Sequence, residues 1–198
     1  KGCVFDANRY TIIGLLTELG CQVTDLGILE DDEQTICDAL TMAAADYDII
    51  FTSGGVSVGD EDHIRPAVEA LGSLHFWRLA IKPGRPIAFG QVASTPFVGL
   101  PGNPVAAMVT FMRIARILVL RLSGAGGDIS PTMYRVAAAF SFKPRGERRE
   151  WLRAHLKVDE DGTLSVHLFP ARGSGVLTSM VVSHGFVEIN ERVTQIKD

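Results

Sequence analysis

The sequence predicts two folded parts: an α/β three-layer domain with a mostly parallel sheet over residues 1–124, then a small all-β, barrel-like domain over residues 132–198. Three observations carry this. "YDIIF", residues 47–51, is a near-continuous apolar run of the kind found in strands covered on both faces. Strand-like and helix-like segments alternate up to residue 122, the mark of helices layered on a sheet. After "SGAGGDISP", residues 123–131, the helical period gives way to strand-like segments.

The elements follow in order. "VFDAN" predicts a short strand and then a helix start, with Asp6 or Asn8 accepting a backbone N–H at the cap. Ile12, Ile13, Leu16 and Leu19 recur at helical spacing, and Gly20 ends the run. "CQVTDLGIL" alternates like a strand. A helix starting near Asp32 turns Ile36, Leu40 and Ala43 inward, and the acids from Glu30 to Glu33 suit its positive end. After "YDIIF" and a glycine–serine run, a helix spans about Ile64 to Leu71. "LHFWRLAI", "PIAFGQV" and "TPFVGL" predict three strands, and "PGNP" opens a long apolar helix from about Val105 to Leu122. In the tail, "YRVAAAFSF", "REWLRAHLKV", "LSVHLF", "GVLTSMVV" and "GFVEIN" predict strands, with no helix.

Composition narrows the function classes. Of 198 residues, 46% are hydrophobic and 21% charged, and the formal net charge is −4. A general nucleic-acid footprint is therefore absent, though a few local cations can still hold a small anion. No signal peptide is visible, and no apolar run reaches the ~18 residues that span a membrane. Cys3, Cys21 and Cys37 match no zinc spacing and read as reduced thiols of a cytoplasmic protein. The five histidines, His63, His75, His155, His167 and His184, show no ligand-like spacing, so a histidine metal site is not expected.

Three segments carry chemistry. "TSGGVSVGDEDH", residues 52–63, follows a buried strand. Gly54 and Gly55 permit φ > 0 and close approach to the backbone, and Ser53 and Ser57 add hydroxyls beside exposed N–H groups. This is either an anion-binding concavity or a plain tight loop. It is not a Walker loop, since no Lys-Ser or Lys-Thr follows. Asp62 is a candidate Mg²⁺ ligand or general base, or the cap of the next helix. "IKPGRP", residues 81–86, sets Lys82 and Arg85 around a stiff Pro-Gly turn, which would lose little entropy on gripping an oxyanion. A surface turn with two solvated cations is the alternative. "GLPGNP" ends a strand; Asn103 suits a helix cap and Pro104 the first turn.

In their order, "FDANR", "TSGGVSVGDEDH", "FWRLAIKPGRPIAFG" and "GLPGNPVAAMVTF" resemble the MoeA/gephyrin E-domain family of molybdopterin molybdenumtransferases. The tail, with "EWLRAHL" and "GSGVLTSM", resembles that family's C-terminal domain, so the resemblance covers nearly the whole chain. It implies the molybdopterin-binding fold and insertion of molybdate into adenylylated molybdopterin, with Mg²⁺-dependent release of AMP. Carried over, it implies pterin and nucleotide contacts at Asp6, Asn8, Ser53, Gly54, Gly55, Val56, Ser57, Pro101, Gly102, Asn103 and Pro104. Asp62 would bind Mg²⁺ and act with Lys82 in catalysis. Lys82, Arg85, Pro86, Arg153 and Ser179 would bind molybdate. A cytoplasmic homodimer acting on small molecules, with no nucleic-acid or membrane partner, is also implied.

The chain departs from the family at Arg85, often Lys, and at Ala106, often Ser, where one hydroxyl available to molybdate is missing. Family members carry two upstream domains. This chain starts at Lys1, so the expectation is a fragment that binds weakly and turns over poorly. Two other readings are a molybdopterin adenylyltransferase-like enzyme and a scaffold module of the gephyrin type. "SGGVSVGD", "PGNP" and the tail argue against the adenylyltransferase.

Overall fold

The computed structural model describes residues 6–55, 63–144, 146–171, 173 and 175–198, with backbone alone at 76 and 77. Val56, Ser57 and Asp62 therefore lie outside the described residues. The chain divides into two compact units, Lys1–Leu79 with Gly84–Ser130, and Ala80–Pro83 with Pro131–Asp198.

The first unit opens with α1 (Ala7–Glu18). Asp6 caps it, accepting the Arg9 N–H at 3.2 Å, and Ile12 and Leu16 form its buried stripe. Residues 21–29, expected to be a strand, form no ladder among the described residues. Gly27 takes φ 80°, and its N–H is held by the Asp25 carboxylate at 2.9 Å, which turns the backbone locally. α2 (Glu33–Asp46) begins at Asp32 and buries Ile36, Leu40 and Ala43, as its spacing predicts. β1 (Ile50–Ser53), α3 (Ile64–Leu71), β2 (Gly72–Arg78), β4 (Pro86–Val92) and β5 (Thr95–Leu100) follow, with β3 (Ile81–Lys82) assigned to the second unit.

The sheet order is β1-β5-β4-β2. Strand alternation sends neighbouring residues to opposite faces. On β5, Val98 and Leu100 pack with Ile12, Leu16, Phe111 and Val119, whereas Phe97 packs with Ile36, Leu40, Ala67 and Val68. Helices thus cover both faces, giving the three-layer α/β arrangement. Each fully buried Phe, Val or Leu contributes about 1.5–3 kcal/mol.

Among the described residues the expected mostly parallel sheet is not found. β1 and β5 pair in parallel, but β4 pairs antiparallel with both β5 and β2. The cause is loop length. Only Ala93 and Ser94 separate β4 from β5, and a two-residue link joins antiparallel neighbours only. Parallel pairing needs a crossover, which in this sheet, among the described residues, lies between β1 and β5.

The predicted long helix is helical throughout but not uniform. α4 (Pro104–Thr110) passes through a π-helical segment (Phe111–Ala115) into α5 (Arg116–Leu122). The Arg116 N–H bonds to Phe111 O, five residues back, and Phe111 and Ala115 both lie in the core.

The second unit is built on β7 (Arg149–Val158). It pairs in parallel with β3 and antiparallel with β8 (Leu164–Leu168) and β9 (Gly185–Ile189), and β6 (Ala137–Ala138) adds to β8. Among the described residues no ladder joins β6 to β9, so the barrel-like closure expected from the sequence is not present. The tail also holds a helix where the sequence shows no convincing one, α6 (Thr178–Val182). Its valines suggested a strand, yet Val181 is 80% exposed. What fixes the segment is Ser179, fully buried and bonded to Arg153 of β7.

Candidate functional site

Because β1 and β5 run in parallel, with Ser53 opposite Leu100, their carboxyl ends share one edge of the sheet. Ligands of open α/β sheets sit at such edges. The loops leaving the two strands are joined there. Gly54 N–H donates to Leu100 O at 3.1 Å, and a Cβ placed on Gly102 would lie 3.6 Å from the Gly54 Cα. Gly54 and Gly55 take φ of 85° and 67°, the left-handed region that a glycine occupies without strain.

Asn8, in the first turn of α1, ties the two loops together. Its Nδ2 donates to Ser53 Oγ at 2.7 Å and to Gly102 O at 2.8 Å. The residue is only 7% exposed, and its Oδ1 is buried without a hydrogen-bond partner. The Thr52 Oγ1 on β1 is likewise buried and unpartnered. Buried polar atoms are rarely left so, and each asks for a ligand, water or ion. Asn103 occupies the cap position before Pro104 with extended backbone, but its side chain makes no capping hydrogen bond.

Gly84 of the cation turn packs on the helix that starts at Pro104. Gly84 has φ 95°, and a Cβ there would meet the Thr110 Oγ1 at 2.2 Å and the Ala106 O at 3.2 Å. Only glycine fits. Leu79 N–H donates to Arg85 O at 2.9 Å, closing the connection from β2 to β4, and Arg85 and Pro86 are exposed. Within the first unit, residues 53–54 and 100–102 are thus joined at the ends of β1 and β5, and Gly84 packs against Ala106 and Thr110 of α4. The Thr110 hydroxyl is fully buried and unpartnered beneath the turn.

Lys82, Arg153 and Ser179 belong to the second unit. The Lys82 Nζ donates to the Glu150 Oε2 at 3.0 Å. The Arg153 guanidinium donates to Ser179 Oγ at 2.9 Å, Gly173 O at 2.8 Å and Ala171 O at 2.7 Å. Burial lowers the Arg153 pKa from its ordinary value. Arg153 and Ser179 are thus brought together as a pre-formed pair. Among the described residues, no group of three or more His, Cys, Asp and Glu could hold a metal.

Sequence reasoning missed Glu150 and Thr110. Glu150 lies in a strand whose buried and half-buried positions do not alternate, so spacing gives no sign that it points inward. Thr110 reads as an ordinary mid-helix residue.

Residues 1–121 match the family described as "Probable molybdopterin binding domain", and residues 135–198 match "MoeA C-terminal region (domain IV)". The curated "Molybdopterin molybdenumtransferase" of Haemophilus influenzae is 36% identical over 96% of this chain and 47% of its own length. "Molybdopterin molybdenumtransferase 2" of Mycobacterium tuberculosis is 31% identical over 98% of this chain and 49% of its own. The crystal structure of a molybdopterin biosynthesis MoeA protein from Pyrococcus horikoshii superposes with a TM-score of 0.73 at 28% identity, covering 97% of this chain and 45% of that one. The chain spans about half the length of the curated relatives it matches.

Proposed function

Because the chain belongs to the molybdopterin molybdenumtransferase family, we propose that it inserts molybdate into adenylylated molybdopterin and releases AMP, completing molybdenum cofactor synthesis. Residues 1–124 are the molybdopterin-binding domain in this reading, and residues 132–198 are the C-terminal domain. The observation that carries it is the Asn8 bridge, which binds the glycine loop to the PGNP turn and leaves a buried carbonyl oxygen unpartnered.

The pieces match the two substrates. Phosphates and a pterin need N–H donors that are already in place, since ordering them during binding costs affinity. Gly54 and Gly55 supply backbone, and Ser53 and Ser57 supply hydroxyls. Pro101, Gly102, Asn103 and Pro104 shape the walls, Val56 is a further contact implied by the family resemblance, and Asp6 fixes the start of α1. The free Asn8 Oδ1 accepts an N–H of the pterin or adenine.

Molybdate is a tetrahedral dianion and calls for fixed cations. Lys82 and Arg85 are set three residues apart around Pro83 and Gly84, with Pro86 after them. Arg153 and Ser179 complete the set. Arg85 keeps the charge of the lysine common in the family but offers a planar fork.

Asp62 is the proposed Mg²⁺ ligand. Its carboxylate is the hard oxygen donor that Mg²⁺ prefers, and the buried, unpartnered Thr52 Oγ1 on β1 is a further oxygen that supports this reading. Bound there, Mg²⁺ would neutralise phosphate charge as AMP leaves. The protein works as a homodimer in the cytoplasm on small molecules, without nucleic acid or membrane. No described helix is long and apolar enough to cross a bilayer.

The test uses the protein at its natural length, given adenylylated molybdopterin, Mg²⁺ and molybdate. AMP release and cofactor formation that fall at least tenfold in Asp62→Asn and Lys82→Ala are expected. Turnover indifferent to both substitutions would overturn the assignment.

A further inference from the structure

The second unit carries a charge relationship that the substrate contacts above do not use. β3 is two residues long, and its register sets Lys82 opposite Glu150 of β7. The Glu150 side chain is 0% exposed, while that of Lys82 is 39% exposed. The Lys82 ammonium therefore faces a buried carboxylate on one side, at 3.0 Å, and solvent on the other. An ammonium has three N–H donors, and Glu150 takes one of them.

We propose that Glu150 is a positioning residue that sets the oxyanion affinity of Lys82. This rests on the reading of Lys82 as a molybdate contact. A lysine on a flexible four-carbon stem is a poor fixed cation by itself. The ion pair with the buried carboxylate restrains Nζ on one side, at 3.0 Å, and leaves donors on the side that faces solvent. The same carboxylate repels an incoming dianion. Glu150 thus gives Lys82 a defined position and keeps the captured oxyanion exchangeable. An enzyme that must pass its oxyanion to a second substrate gains from a site that does not trap it.

Molybdate binding by calorimetry, at fixed ionic strength and on the protein at its natural length, tests this. Glu150→Gln keeps an oxygen acceptor for Lys82 and removes the negative charge. It should bind molybdate about tenfold or more tightly, the scale of one lost charge repulsion near a protein surface. In turnover it should lower the molybdate KM without raising kcat. Glu150→Asp keeps the charge but withdraws it by one methylene, and its affinity should fall between the two. The double variant Lys82→Ala with Glu150→Gln should bind no more tightly than Lys82→Ala, because the effect runs through Lys82.

A merely structural glutamate would lower stability when replaced and would not tighten binding. Where Glu150→Gln does not fold, Glu150→Asp decides by the same criterion. Binding that Lys82→Ala weakens but both Glu150 variants leave unchanged, or weaken, would overturn this inference alone. No molybdate binding by the unsubstituted protein would overturn the reading of Lys82, and this inference with it.

Discussion

Asn8 Nδ2 donates to Ser53 Oγ at 2.7 Å across 45 positions of sequence. The same nitrogen donates to Gly102 O at 2.8 Å. One amide group on α1 thus holds the loops after β1 and β5 in register. Both acceptors are at the sheet edge where the ends of β1 and β5 meet, so the bridge acts on the site as well as on the fold.

Asn8→Ala removes both donors and leaves two acceptors short of partners. The expected loss is about 1–3 kcal/mol, read from urea unfolding. Asn8→Asp should cost more than Asn8→Ala. It replaces a donor with a second acceptor and sets a carboxylate against Gly102 O and Ser53 Oγ. Equal stability of the two variants would show that the amide donor is not what joins the loops.

Gly84 and Thr110 make the second joint. A Cβ on Gly84 would meet the Thr110 Oγ1 at 2.2 Å, with the backbone at φ 95°. Gly84→Ala should destabilise by about 2–4 kcal/mol, combining overpacking with left-handed strain. Adding Thr110→Ala removes the oxygen that clashes and should recover part of this loss. About 1 kcal/mol of backbone strain should remain. The cycle of single and double variants, read by thermal unfolding, separates the two terms.

These joints mark the limit of what was legible in the chain. α2 was readable because Asp32 and its inward stripe of Ile36, Leu40 and Ala43 are local features. The loop contents were readable too, since glycines, prolines and cations announce themselves. Strand direction was not read correctly. Three successive strands without an intervening helix should have argued for antiparallel pairing, as the two-residue link at Ala93 and Ser94 imposes. α6 was hidden because its conformation depends on a distant side chain, Arg153, rather than on its own valines. Glu150 was hidden for the same reason: its burial follows from pairing between β3 and β7, which no nearby residue reveals.

The Asp32 cap gives a pH dependence. The backbone N–H of Thr35, followed by its hydroxyl, holds the Asp32 carboxyl below its usual range. A carboxyl depressed in the folded state stabilises above its unfolded pKa of about 3.9. That contribution is lost as pH falls through the lower folded value. Acid titration of stability should therefore show a component below about pH 4 that Asp32→Asn removes. The melting temperature near neutral pH should change little in Asp32→Asn, which still caps, and fall in Asp32→Ala. Identical acid titration curves for the natural chain and Asp32→Asn would count against the cap as its source.

Arg153 anchors the segment that leads into α6. Its guanidinium reaches Ala171 O, Gly173 O and Ser179 Oγ, and its carbon lies 5.8 Å from the centre of the Phe169 ring. The planar fork lets one side chain serve three acceptors at fixed angles, which a lysine ammonium on a flexible stem does not reproduce. Arg153→Lys should therefore lose most of this network, at a cost of about 3 kcal/mol, the scale of breaking a buried charged group's partners. Arg153→Met removes the charge and leaves the acceptors unpaired, and should cost at least as much. Hydrogen exchange locates the effect. Amides of α6 should lose protection in Arg153→Lys, while those of α2 in the first unit keep theirs. Ser179→Ala deletes one of the three acceptors and should give a smaller effect in the same place. Unchanged α6 protection in Arg153→Lys would mean that the helix stands on its own valines, and that Arg153 is held by the segment rather than holding it.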